Sequence, residues 1–372
     1  MPTPCNTKRV KNMKILEVIQ SLASGGAERL VVDLCNELSK TEDVTLLILK
    51  DVQHFYLPQL SPRVKVIEAK MPLGGSIKQL LQCCKWVKKV NPDVVHIHSH
   101  ARYTMLLANL LYGRKYKFYM TIHSDVCQNY AHGWSGLQVR LSGFPGRCKF
   151  ITISETNYQQ FCTTHPRLKQ CLIQNGRALP ALSEKIDDVK KEMQAYRGGE
   201  EHILFIHIAR CQPVKDQALL VDCFNELIQE GENVALVIIG DRFDSPLGKS
   251  ITQKAGRDIH ILGTKDNVYD YLSCADAFCL SSKYEGMPIT LIEAYLSGKP
   301  IISTPVCGAV DIVKEGVNGY LSVGHAKEEY KNAIRQFIAN KDAICAKAAA
   351  MKEDCPYNIT ECAKKYLEWF KN

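Results

Sequence analysis

Apolar positions along the chain fall into short runs separated by stretches that repeat at helical spacing. In the first half the runs are Met13 to Gln20, Val44 to Leu49, Val64 to Ile67, Asp93 to His98, Lys117 to Ile122 and Phe150 to Ile153. Most are followed by a helical pattern, an alternation that predicts a parallel sheet covered by helices on both faces. The second half repeats it, with strands expected at Ile203 to Ala209, Val234 to Ile239, Ile259 to Leu262 and Ala275 to Leu280, and a helix at Val214 to Gln229. Between the halves, the charged passage from Ser183 to Glu201 carries Gly198-Gly199 and no strand pattern, and reads as a linker. The expected organisation is a first domain over 1–182, a linker over 183–201, a second domain over 202–355 and a C-terminal helix over 356–372. In that helix Ile359, Cys362, Ala363, Tyr366, Leu367 and Phe370 form a packing stripe.

Length supports two domains, because 372 residues exceed what one hydrophobic core usually holds. Residues 1–12 are polar and basic with no apolar core behind them, and no run nears the length of a membrane span, so a cytoplasmic chain is expected. Of the sixteen cysteines none shares C-x-x-C spacing and most sit in apolar segments; they read as reduced core thiols. The net charge of +8 points to anionic partners such as nucleic acid, anionic lipid or phosphate-bearing substrates. No RNA-binding signature or basic run interleaved with aromatics is present, so nucleic acid is not expected. Ile77 to Val90 alternates Leu80, Leu81, Cys84, Trp86 and Val87 with Lys78, Lys85, Lys88 and Lys89, which suits a packing helix with a solvated basic side or one lying on an anionic membrane.

Ligands of parallel sheets bind beyond the carboxyl ends of the strands. There the first half places Gly25-Gly26, opening a helix whose amides can approach a phosphate. It also places His96, His98 and His100, expected on one face, and His123 after the next strand; no carboxylate or cysteine completes a metal-ligand set around them. Ser154 reads as a helix N-cap, and Asn175-Gly176 as a left-handed turn. In the second half Arg210 and Lys215 follow the first strand, positioned for phosphate oxygens or as plain surface charges. Ala275 to Gly319 is the most informative stretch. Glu285 precedes a helix start at Pro288, where free amides from Gly286 through Met287 and Ile289 to Thr290 favour oxygen-rich ligands, and Gly286 opens the backbone to them. Glu293 falls at the edge of an apolar stripe, where a sugar or ribose hydroxyl, or a neighbouring cation, would satisfy it.

Glu285-Gly286-Met287-Pro288, Glu293-Ala294, Gly298-Lys299-Pro300-Ile301-Ile302 and Gly316-Val317-Asn318-Gly319, in that order, resemble the C-terminal signature of the family-4 retaining nucleotide-sugar glycosyltransferases. The resemblance implies a GT-B α/β fold: two Rossmann-like parallel-sheet domains facing a cleft, with the C-terminal helix crossing back to the first. It implies retaining, metal-independent transfer of a hexosyl or N-acetylhexosaminyl group from a nucleoside-diphosphate sugar, with uridine the expected base, and no cofactor. The acceptor would be a hydroxyl of a saccharide or lipid-linked saccharide of bacterial surface-polysaccharide synthesis, met in the cytoplasm or at the inner membrane. Carried onto this chain, it gives Arg210 and Lys215 the diphosphate, and Gly26 a place facing the diphosphate or the acceptor. Glu285 and the Gly286, Met287, Pro288, Ile289 backbone take sugar and phosphate oxygens, and Glu293 the ribose. His123 would donate a hydrogen bond to the transferred sugar. Two departures stand out: Ala209 and Asp216 occupy positions where the family has glycine. A non-catalytic sugar-nucleotide or glycan-binding protein is the alternative, and a dinucleotide oxidoreductase a remoter one, lacking its glycine fingerprint.

Overall fold

The computed structural model describes residues 12–72, 76–352 and 355–371. Two wholly parallel sheets organise the chain, joined in sequence by helical crossovers. The first has seven strands: β1 (Lys14–Ile19), β2 (Asp43–Lys50), β3 (Lys65–Met71), β4 (Val94–His98), β5 (Lys117–Ile122), β6 (Cys148–Thr152) and β7 (Gln170–Leu172), in the order β3-β2-β1-β4-β5-β6-β7. The second has six: β8 (Ile203–Ile208), β9 (Val234–Ile239), β10 (Ile259–Ile261), β11 (Ala277–Leu280), β12 (Ile301–Ser303) and β13 (Gly319–Leu321), in the order β10-β9-β8-β11-β12-β13. In both, the sheet starts near its middle and the strand order reverses beside the first strand, so β1 and β8 end at the switch points where such folds hold ligands. The central strands are buried on both faces under helices and mostly apolar, with Glu17, His96, His98, Thr121 and His207 as buried polar exceptions.

Several parts of the expected site turn out to hold the fold together. Lys299 Nζ donates to the carbonyls of Ser273 and Ala275, closing the carboxyl end of the Val268–Cys274 helix. A Cβ at Gly319 would stand 1.9 Å from the Ile301 carbonyl oxygen, so only glycine allows β13 to run beside β12. Asn318 accepts from the Lys314 amide and donates to the Ile312 carbonyl, fixing the same turn. Ser154 caps its helix as expected, accepting from the Asn157 amide at 3.3 Å.

Asn175-Gly176 departs from expectation, since neither residue has left-handed backbone. The glycine answers a close crossing instead: a Cβ there would lie 2.6 Å from the Asn358 oxygen and 2.7 Å from Cys362 Cβ. That crossing belongs to the helix Ile359–Lys371, which returns from the second sheet to the first. Its buried face, Ile359, Cys362, Ala363, Tyr366 and Phe370, is the predicted stripe without Leu367, which is half-buried. Tyr119 Oη and Lys117 Nζ donate to its last carbonyls, those of Trp369, Phe370 and Lys371. Within 183–201, residues Ile186–Arg197 form a helix tied to the second sheet by Arg197 on Asp276. The fifteen cysteines of the described residues are free thiols.

Candidate active site

A cleft of about 790 Å³ lies between the carboxyl ends of the two sheets. It collects Gly26, His123, Arg210, Lys215, Glu285, Met287, Pro288, Ile289 and Glu293, which is the whole expected set except Gly286. Beyond β8 the chain carries Arg210 and Lys215 into the cleft before the helix Gln217–Gln229 begins. Asp216, at its N-cap, takes the left-handed backbone (φ 47°) that a glycine adopts freely and aspartate tolerates. Its carboxylate sits 3.4 Å from Lys283 Nζ, so the turn keeps its shape without glycine. Ala209, one residue past β8, stays tied to β9 by its amide, which donates to the Ile239 carbonyl.

Lys215 Nζ donates to Glu285 Oε1 at 2.5 Å, and Ser282 Oγ donates to the same oxygen at 2.6 Å. Cation and carboxylate therefore hold one another at the mouth of the helix Ile289–Leu296, whose Leu291 amide turns back to the Pro288 carbonyl while the Ile289 and Thr290 amides have no intrahelical acceptor. Arg210 stands across the cleft from Gly25 and Glu28; a Cβ at Gly25 would be 3.1 Å from Arg210 Nη2 and 2.3 Å from Glu28 Oε2. Burial raises the Glu28 carboxyl above the usual range, against the pull of its own backbone and of Arg210.

Gly286 is a correction. It is buried behind the cleft wall, and a Cβ there would stand 2.5 Å from the His123 carbonyl oxygen. The glycine thus allows the two domains to meet backbone to backbone, where a ligand approach was expected. Asn175 joins the same seam, its Nδ2 donating to the Met287 carbonyl at 3.1 Å.

Glu293 does line the cleft, but its Oε1 already accepts from Arg177 Nε at 2.8 Å. Arg177 Nη1 also meets Asp33 Oδ2 at 2.9 Å, and Asp33 is held in turn by Arg29. Sequence reasoning passed over Arg177, which sits directly after the Asn175-Gly176 pair; nothing local marks it, because both of its carboxylates are distant in sequence.

The histidines need a second correction. Ser99 has φ 49°, and the chain reversal there takes His100 off the strand to stack near Tyr103. His96 and His98 do share a face, and a carboxylate does join them: Glu17 from β1, whose Oε2 lies 2.8 Å from His96 Nδ1 and 2.7 Å from His98 Nε2. All three are fully buried. The His98 contact is a hydrogen bond and the His96 contact a close polar approach outside hydrogen-bond geometry; both are shorter than the about 3.3 Å at which two ligands of one tetrahedral zinc ion would stand. Sequence reasoning missed Glu17; the signal that could have found it is a lone charge inside the apolar run Ile15-Leu16-Glu17-Val18-Ile19. Against burial, which acts to raise it, His96 and His98 bring the Glu17 carboxyl down to about 2, while burial lowers His98 to about 4. His98 Nδ1 lies 3.0 Å from His123 Nε2, and burial with His98 and His96 nearby holds His123 well below the usual histidine range.

Residues 188–354 match the family Glycosyl transferases group 1, and residues 24–177 match Glycosyltransferase Family 4. The chain is similar to the putative glycosyltransferase EpsF of Bacillus subtilis, with 24% identity over 336 residues covering 80% of this chain and 81% of that protein. It is also similar to the UDP-Gal:alpha-D-GlcNAc-diphosphoundecaprenol alpha-1,3-galactosyltransferase of Escherichia coli, with 23% identity over 78% of this chain and 76% of that one. Among solved structures, Anabaena HepE in complex with UDP and glucose superposes with a TM-score of 0.80 and 21% identity, covering 97% of this chain and 100% of that one. A likeness at that identity speaks to the fold.

Proposed function

The chain belongs to the family-4 glycosyltransferases of the GT-B fold, with relatives in bacterial polysaccharide synthesis, and on that premise we propose that it transfers a hexosyl or N-acetylhexosaminyl group from a UDP-sugar to a saccharide or lipid-linked hydroxyl. The observation that carries this reading is the convergence of Arg210 and Lys215, from the second domain, with the open start of the helix Ile289–Leu296 and with Gly26 of the first domain in one cleft. Two cations and a helix N-terminus suit a diphosphate, and they stabilise the charge that grows on it as the glycosidic bond breaks. In this reading the diphosphate takes Lys215 from Glu285, freeing the carboxylate for sugar hydroxyls. Glu293 keeps Arg177 on one oxygen and offers the other to the ribose. HepE has been solved with UDP and with UDP-glucose, and the Escherichia coli relative is named for a UDP-galactose donor and a diphosphoundecaprenol-linked acceptor; both support a uridine donor, and the second a lipid-linked acceptor.

The reaction is proposed to retain anomeric configuration and to need no metal, the cations taking the part of one. No helix among the described residues is long and apolar enough to cross a membrane. Peripheral contact with an anionic membrane is supported by two exposed faces on the first domain. One is Ile77 and Leu81 among Lys78, Lys85, Lys88 and Lys89; the other is Trp134, Leu137, Leu141 and Phe144, along the helix Gly133–Gly143 and just past it.

The test is calorimetric titration with UDP- and GDP-sugars, in chelator and in magnesium, followed by proton NMR of the product. Binding of a UDP-sugar in chelator and a product with the anomeric coupling of its donor are expected. Binding only with metal, or an inverted product, would overturn those parts of the proposal.

A further inference from the structure

Glu17 and His98 are absent from the cleft lining, yet they end in a residue that belongs to it. From Tyr366 on the C-terminal helix, an unbroken series of polar contacts runs through the first sheet to His123. Tyr366 Oη lies 3.2 Å from Thr121 Oγ1, and Thr121 Oγ1 lies 2.8 Å from His96 Nε2. Glu17 Oε2 then bridges His96 Nδ1 and His98 Nε2, and His98 Nδ1 meets His123 Nε2. The strand register builds this series: Glu17 of β1 pairs with His96 of β4, and His98 pairs with Thr121 of β5. Tyr366, Thr121, His96, Glu17 and His98 are all buried.

We propose that Glu17 is a positioning residue which, through His98, fixes His123 as the tautomer protonated on Nε2, leaving Nδ1 as a hydrogen-bond acceptor for a hydroxyl of the donor sugar. The argument is a count of protons. An ionised carboxylate only accepts, so the nitrogen of His98 that faces it, Nε2, carries the proton. A neutral His98 then has a bare Nδ1, which can only accept from His123 Nε2. With Nε2 committed, Nδ1 is the ring nitrogen His123 has left for a ligand, and in a neutral ring it is unprotonated. The protons on the path to His123 each find an acceptor in this arrangement, His98 donating to Glu17 and His123 to His98, while Tyr366 donates to Thr121 and Thr121 to His96; His96 Nδ1 lies 2.8 Å from Glu17 Oε2 but outside hydrogen-bond geometry. Burial and the low position of the His98 and His123 imidazoles accord with neutral rings. The family resemblance implied the opposite polarity at His123, a donor to the sugar.

The assignment rests on the proposed sugar-nucleotide reading for the identity of the hydroxyl, but not for the tautomer. It is tested by two-bond proton–nitrogen NMR on the full-length protein labelled at histidine, with His123 assigned by loss of its signal in His123→Gln. The ligand-free wild type should show the Nε2-protonated pattern at His123. Glu17→Gln should shift His123 toward the other tautomer, and lower kcat about tenfold to a hundredfold with donor KM little changed; Glu17→Asp should restore part of both. An Nδ1-protonated His123 in the wild type, or a His123 spectrum unmoved in a folded Glu17→Gln variant, would overturn the proposal. Adding UDP-sugar should move the Nδ1 resonance in the direction of an accepted hydrogen bond. A correct tautomer with no such movement on saturation would overturn the sugar contact while leaving the positioning role intact.

Discussion

Glu285 is engaged by Lys215 and Ser282 on a single oxygen, so removing its charge alters the lysine as well as the sugar site. Glu285→Gln is expected to lower donor turnover by about a hundredfold to a thousandfold, the loss typical of removing a preorganised polar contact to the reacting centre. Steady-state nucleotide release measures it. Gly286 makes a different prediction, because its Cβ would meet the backbone of another domain rather than a flexible side chain. Gly286→Ala is expected to cost about 1–3 kcal/mol, read as a lower melting temperature, through overpacking at the seam. Both residues were visible in the sequence, but only Glu285 lines the cleft. A glycine before a helix start suits a ligand and a backbone crossing equally well, and the other side of the crossing, His123, lies over 160 residues away in sequence.

Among the elements, most apolar strands were legible, β10 with only three residues among them, while β12 and β13, equally short, were not picked out as strands. Helix caps were legible where the chemistry is local. Ser154 accepts from the Asn157 amide in a buried setting, and Ser154→Ala is expected to cost about 1 kcal/mol, measurable by denaturant unfolding. The helix Gly133–Gly143 was missed as a surface: Trp134 is 61% exposed and Phe144, just past its end, 73%. Their spacing resembles a core stripe, and only the fold shows that this stripe faces outward. If the face meets membrane, Trp134→Ser with Phe144→Ser should reduce co-sedimentation with anionic vesicles severalfold while leaving turnover on a water-soluble acceptor unchanged.

At the level of the whole molecule, the contacts that join the domains come from residues that sequence alone leaves unrelated: Arg177, itself anchored on Asp33, with Glu293, Asn175 with Met287, and Thr156 with Asp311. Long-range polar pairing of this kind has no local period, which is why the architecture was readable and the wiring behind His123 was not. Buried histidines give the fold a pH dependence. His98 and His207 are each lowered by burial from 6.5 to about 4. The unfolded chain therefore takes up protons first as pH falls, so the stability present above pH 6.5 is lost progressively down to about pH 4. Melting temperatures should fall across that window, and His207→Gln should flatten the decline.

The central claim is that Arg210 and Lys215 serve a nucleoside-diphosphate sugar in this cleft. Its most direct test is the rate of UDP release from a panel of UDP-sugars with a lipid-linked saccharide acceptor, compared between the wild type and Lys215→Ala. Acceptor-dependent release by the wild type, reduced at least about a hundredfold in the variant, is the expected result. Release by Lys215→Ala at the wild-type rate would contradict the account.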